Sequence, residues 1–119
     1  MVIKKPSVTI YTNRPQPEII YEICSGIEEE GIFYQVISRE ELELEELTYE
    51  AAADSMLGSG IGVYRDTVAF QIKGLSKGQY IFSYKKPEKE QSRILGSNSA
   101  RAVKKLPFKE REESHEDIY

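Results

Sequence analysis

The sequence is short of the residues on which most chemistry depends. It has one histidine, His115, in a charged C-terminal stretch, and one cysteine, Cys24. A general base of the usual kind is therefore missing from the body of the chain. With no second cysteine there is no C-x-x-C motif, and no H-x-x-x-H pair occurs either. No spacing singles out a pair of carboxylates for hydrolysis. No apolar run approaches the roughly 20 residues that span a bilayer, and the opening Met-Val-Ile-Lys-Lys-Pro is too short in apolar residues for a secretory signal. With a lone thiol, these features point to a soluble protein of the cytosol. Nor is there a basic excess: 16 Lys and Arg face 20 Asp and Glu, for a net charge of -4. That excludes the electrostatic footprint of a nucleic-acid binder.

What is present suits one small α/β domain. A chain of 119 residues with 39% hydrophobic and 30% charged residues buries roughly two-thirds of its unfolded surface, enough for one core on a sheet. Val8 to Thr12 is rich in β-branched residues and stops at Asn13-Arg14-Pro15, which reads as a strand and a loop. Pro17 suits the first position of a helix, running to about Glu30. Ile32 to Ile37 is a second strand, so strand, helix and strand imply a parallel crossover. Ser38 and Glu41 have the spacing of a capping box, and helical structure is expected between Glu40 and Leu57, in one piece or in two with Thr48 as the second cap. Gly58-Ser59-Gly60-Ile61-Gly62 leads into a strand rather than opening a helix. It therefore reads as a tight turn or close backbone approach and not as a phosphate cradle. Ile61 to Tyr64 and Thr67 to Ile72 form a hairpin, Gln79 to Tyr84 a fifth strand, and a helix follows Pro87 as far as Lys105, interrupted at Gly96 to Ala100. Small residues there imply close packing on a sheet or on a partner. The expected fold is a single-domain, three-layer-like mixed β-sheet of about five strands flanked by helices, in the order β-α-β-α-β-β-β-α. It occupies residues 1–108, with 109–119 as a charged, mobile tail.

Charge is unevenly spread. Most of the net negative charge sits in the tail, while Glu40, Glu41, Glu43, Glu45, Glu46 and Glu50 face only Arg39 nearby, and Lys73, Lys77, Lys85, Lys86 and Lys89 cluster later. Such opposed patches serve solubility and pairing more often than chemistry. The acids of Gly26-Ile27-Glu28-Glu29-Glu30-Gly31 differ in kind. Gly31 suits the left-handed residue that closes a helix, which puts three carboxylates beside the negative end of the helix dipole. Something must compensate them. At about 100° per residue, Ile19, Ile20, Ile23, Cys24 and Ile27 form one apolar stripe, and Glu29 points nearly opposite its centre. Glu30 lies nearer the stripe's edge and Glu28 on the other flank, so the three do not converge on one ion. Either one of them reaches a partner or this is a solvated acidic helix end. Asn98 and Arg101, three apart on the last helix, share a face as surface polar residues or as a contact.

Gly26 to Ile32, Leu57 to Val63, and Gly96-Ser97-Asn98-Ser99-Ala100-Arg101 with Lys104 and Pro107-Phe108 together resemble the dehydratase medium-subunit family over residues 6–108. That family includes the medium subunits of adenosylcobalamin-dependent diol and glycerol dehydratases and the small subunits of the factors that reactivate them. The ending Leu106-Pro107-Phe108 is similar to the reactivating branch. Leu57 to Val63 is similar to the enzyme branch about as well, so the alternative is the medium subunit of the dehydratase itself, a lyase. The reactivating resemblance implies a chain without catalysis of its own, partnered in a heterotetramer with a large subunit that carries an actin-like ATPase. It further implies exchange with the medium subunit of a diol or glycerol dehydratase, so that damaged cobalamin leaves. In that branch the middle glutamate, here Glu29, joins acidic residues of the large subunit in holding magnesium or calcium at the interface, and this chain alone binds no cofactor. Glu28, Glu30, Asn98 and Arg101 are the other expected interface residues. The expected location is cytoplasmic, with residence in a bacterial microcompartment left open.

Overall fold

The computed structural model describes residues 5–110. Its elements are β1 (Ser7–Asn13), α1 (Pro17–Glu29), β2 (Phe33–Ser38), α2 (Leu44–Asp54), β3 (Ser59–Tyr64), β4 (Thr67–Ile72), β5 (Phe82–Lys85) and α3 (Lys89–Lys104). The strands form one sheet in the order β2-β1-β3-β4-β5. β1 pairs in parallel with both β2 and β3, because α1 and α2 each carry the chain back across a face of the sheet. β3, β4 and β5 are antiparallel, and Arg65, with φ of 57°, closes the tight turn between β3 and β4.

The layers follow from the alternation of side chains along the strands. Val8 and Ile10 of β1, Ile61 and Val63 of β3, and Val68 and Phe70 of β4 point to one face, where α1 and α3 cover them with Ile19, Ile23, Ile27, Leu95 and Ala100. Tyr11 points to the other face and packs with Leu42, Leu47 and Ala51 under α2. β3 presents glycine to α2. A Cβ on Gly60 would overlap the backbone of Ala51 and Ala52, and one on Gly62 would overlap Thr48. The glycine-rich segment is thus a strand pressed against a helix, as close approach requires, and not an anion loop.

Three local readings are corrected and one open alternative is decided. The box that caps α2 is formed by Glu43 and Glu46, whereas Ser38 ends β2. A carboxylate at the N-cap accepts the same backbone N–H a serine would, and favours the helix dipole as well. Thr48 caps no second piece; it lies within α2 and donates to the Leu44 carbonyl at 2.8 Å. α3 is one continuous helix through Gly96 to Ala100, since its small residues serve packing rather than a break. The fifth strand also begins later than expected, at Phe82.

Candidate functional site

The end of α1 is closed as Gly31 predicts. Gly31 has φ of 75°, its N–H donates to the Glu28 carbonyl at 2.9 Å, and the Ile32 N–H donates to the Ile27 carbonyl at 3.5 Å. This is a Schellman closure, and it sets Glu28 and Glu29 in the last turn with Glu30 at the cap.

α3 supplies what compensates these acids. It crosses α1 closely because both helices have glycine at the crossing: a Cβ on Gly96 would overlap the Ile23 carbonyl oxygen, and one on Gly26 would overlap the Arg93 carbonyl oxygen. At that distance Arg93, Ser97, Arg101 and Lys104, spaced four, four and three apart on one stripe of α3, face the end of α1. Arg93 Nη1 donates to Glu29 Oε2 at 2.8 Å while its Nε donates to the buried Glu22 at 2.9 Å. Lys89 Nζ stands 3.8 Å from Glu22. Glu30 is held hardest. Its side chain is only 8% exposed, and its carboxylate accepts from Ser97 Oγ at 2.5 Å and Arg101 Nε at 3.1 Å. The ammonium of Lys104 lies 3.4 Å away and that of Lys109 3.3 Å. Lys104 also donates to the Glu30 carbonyl at 2.8 Å, satisfying a backbone acceptor left over at the helix end. Burial by itself would raise the Glu30 carboxyl, but the hydrogen bonds from Ser97, Arg101 and Lys109 outweigh it and bring the group down to about 2. Glu28 lies apart, accepting from the Tyr34 hydroxyl at 2.9 Å. That hydrogen bond, with burial second, pushes the phenol up to about 12.

The expected interface residues therefore separate. Glu28 and Glu29 are both exposed, and Glu29, 45% exposed, is paired with Arg93 and does not point clear of its own domain. Asn98 is 2% exposed and holds the chain that leaves α3: its Nδ2 donates to the Lys109 carbonyl at 3.1 Å and its Oδ1 accepts the Lys109 N–H at 2.6 Å. Arg101 bridges Glu30 and the Pro107 carbonyl. Lys105, left-handed with φ of 58°, turns the chain so that it returns beside α3, and Phe108 stacks edge-on against Phe70 and Phe82. Residue 109 is thus tied to the domain, while the rest of the expected tail beyond residue 110, including His115, lies outside the described residues. Arg93, Ser97, Lys109 and Glu22 were not picked out from sequence. The four-residue spacing of Arg93, Ser97 and Arg101 was the available signal.

Chemically, the arrangement presents a surface rather than a reaction centre. Cys24 is buried, and burial, opposed by a hydrogen bond with Tyr34, pushes its thiol up to about 11, far from a reactive thiolate at neutral pH. Among the described residues no three His, Cys, Asp or Glu side chains are grouped to hold a metal ion, and no helix is long and apolar enough to cross a membrane.

The model of the dehydratase medium subunit family matches residues 5–109. The chain belongs to that family. It is 28% identical over 106 residues to the propanediol dehydratase-reactivating factor small subunit of Citrobacter freundii, covering 88% of this chain and 91% of the relative. To the diol dehydratase-reactivating factor small subunit of Klebsiella michiganensis it is 32% identical over 90 residues, 75% of this chain and 72% of the relative. Among solved structures it resembles a chain of diol dehydratase-reactivating factor complexed with ADP and Mg2+, with a TM-score of 0.83 and 28% identity, covering 90% of this chain and all of that one. A chain of glycerol dehydratase reactivase gives a TM-score of 0.84 at 29% identity, covering 89% of this chain and 98% of that one. Both the relatives and the structures favour the reactivating branch over the dehydratase's own medium subunit.

Proposed function

We propose that this chain is the small subunit of a reactivating factor for an adenosylcobalamin-dependent diol or glycerol dehydratase, working in the cytosol. The observation that carries the reading is that a domain whose described residues group no metal-binding or reactive side chains matches the full length of a chain of diol dehydratase-reactivating factor. Its task is that of a placeholder. It occupies a large partner subunit, which carries the ATPase, and is surrendered when that subunit takes the place of the medium subunit on the inactivated dehydratase. Damaged cobalamin is then released, and the resting assembly is a heterotetramer.

Glu29 fits a part in holding a divalent cation at that interface. It is half-exposed and offers one carboxylate, so a magnesium or calcium ion there draws its remaining oxygen ligands from the partner. The bound ion would neutralise an acid set against the helix dipole, a task Arg93 performs in the chain by itself. The test is size-exclusion chromatography of the protein mixed separately with the large reactivating subunit and with a dehydratase lacking its medium subunit, in magnesium and in chelator. Co-elution with the large subunit that weakens in chelator and in Glu29→Ala is expected. Stable assembly only with the dehydratase, restoring turnover, would overturn the reading.

A further inference from the structure

The seam between α1 and α3 holds a second feature, at the opposite end from Glu29. Where the first turns of the two helices meet, a groove of about 580 Å³ opens, walled by Pro17, Ile19, Tyr21 and Pro87 with Ser92 at its floor. That volume lies within the range of binding pockets, roughly 300–1,000 Å³. Two observations mark it as built for an occupant. Tyr21 is 66% exposed along one wall, while Ser92 is 1% exposed and its hydroxyl has no hydrogen-bond partner. Buried hydroxyls are ordinarily paired, since leaving one unpaired forfeits the hydrogen bond it had with water.

The chemistry of the rim excludes an anion. Glu18 and Glu22 line the groove against Lys89 alone, and Glu22 already engages both Lys89 and Arg93. The first turn of α3 is closed by its own capping box of Glu88 and Gln91, so its amides are not offered to a phosphate. What fits is a neutral group, apolar along its length and able to form one hydrogen bond at its tip.

The groove is also continuous with the Glu29 surface. Glu18, Glu22 and Glu29 lie on one stripe of α1, and Arg93 bridges the last two. Tyr21 stands eight residues before Glu29, about 12 Å along the helix at 1.5 Å per residue. A standard interface of about 800 Å² per partner is on the order of 30 Å across and would cover both. We propose that the groove receives an apolar side chain with a hydrogen-bonding tip from the same large partner subunit that meets Glu29, its tip pairing with Ser92 Oγ once rotation about the serine's Cα–Cβ bond turns that buried hydroxyl toward the groove. This rests on the reading of the chain as a reactivating-factor small subunit.

The test is the affinity of the full chain for the large subunit, by titration calorimetry in excess magnesium, for the wild type, Tyr21→Ala, Ser92→Ala and the double variant. Tyr21→Ala is expected to weaken binding about tenfold, as loss of an aromatic contact does, and Ser92→Ala about threefold to tenfold. Melting temperatures should stay at or above the wild-type value for Ser92→Ala, since its hydroxyl stabilises nothing within the chain. A double variant that binds like the wild type, while Glu29→Ala still weakens the complex, would overturn the groove and leave the proposed function standing. Failure of the wild type to bind the large subunit at all would overturn both.

Discussion

Two acidic stretches of this chain look alike in sequence and behave oppositely in the fold. Glu43, Glu45 and Glu46 stand at the start of α2, where carboxylates favour the positive end of the dipole and two of them cap the helix. They need no cation. Nearby, Arg39 pairs with Glu41 and Glu50 in the open. Glu28, Glu29 and Glu30 stand at the far end of α1, where the dipole opposes them, and α3 meets two of them with Arg93, Arg101, Lys104 and, just beyond the helix, Lys109. An acid run is thus solvated or clasped according to which end of a helix it occupies. Only the clasped one holds two elements of the fold together.

The largest break in that contrast should come from Gly96→Ala. Its Cβ would strike backbone of α1, which has no rotamer by which to give way, so α3 must lift and carry its cations off Glu29 and Glu30. A loss of about 2–3 kcal/mol or more is expected from overpacking, measured by denaturant unfolding. Stability like the wild type would mean that the helices slide freely and that the crossing does not set the clasp.

Glu30→Gln sharpens the contrast by removing charge while keeping shape. It leaves Arg101, Lys104 and Lys109 around a neutral amide, and a loss of about 1–3 kcal/mol at pH 7 is expected, below the range for fully buried pairs because the cations are partly solvated. The carboxyl of Glu30 is lowered from 4.5 to about 2. A group depressed in the folded state stabilises fully above its ordinary value, and that contribution fades as pH falls from 4.5 toward 2. The wild type should therefore lose stability through this window more steeply than Glu30→Gln, and parallel curves would show that the clasp contributes nothing.

The smallest effect belongs to the other acidic stretch. Glu46→Gln keeps an acceptor for the Glu43 N–H, since glutamine serves equally in a capping box. A change within about 0.5 kcal/mol is expected, with little dependence on salt. A loss matching that of Glu30→Gln would erase the distinction between the two stretches.

Much of the site was legible because helix ends are written locally. Gly31 fixes the closure of α1 through one left-handed residue, and counting back from it separates Glu29 from the apolar stripe. The same counting could not show that Glu30, at the edge of that stripe, is taken inside the domain. Its depth is set by Ser97 and Arg101, which are 67 and 71 residues away. Asn98 was legible as special but not as buried, because its partner is the backbone of Lys109, brought back by a left-handed Lys105 where glycine would be the ordinary signal.

The sequence by itself determined the order of elements, the parallel start of the sheet and the end of α1, and for Gly60 and Gly62 it left a tight turn or a close backbone approach. Each of these depends on a few neighbouring residues, through periodicity, caps and the absence of Cβ. Only the tertiary structure decided that β1 lies between β2 and β3, that α3 runs on α1 with glycine against backbone, and that Arg93 holds Glu29 across 64 residues of chain. The physical reason is range. Dihedral preferences and helix dipoles act within a turn or two, whereas an ion pair or a close crossing exists only once hydrophobic burial has brought distant segments together.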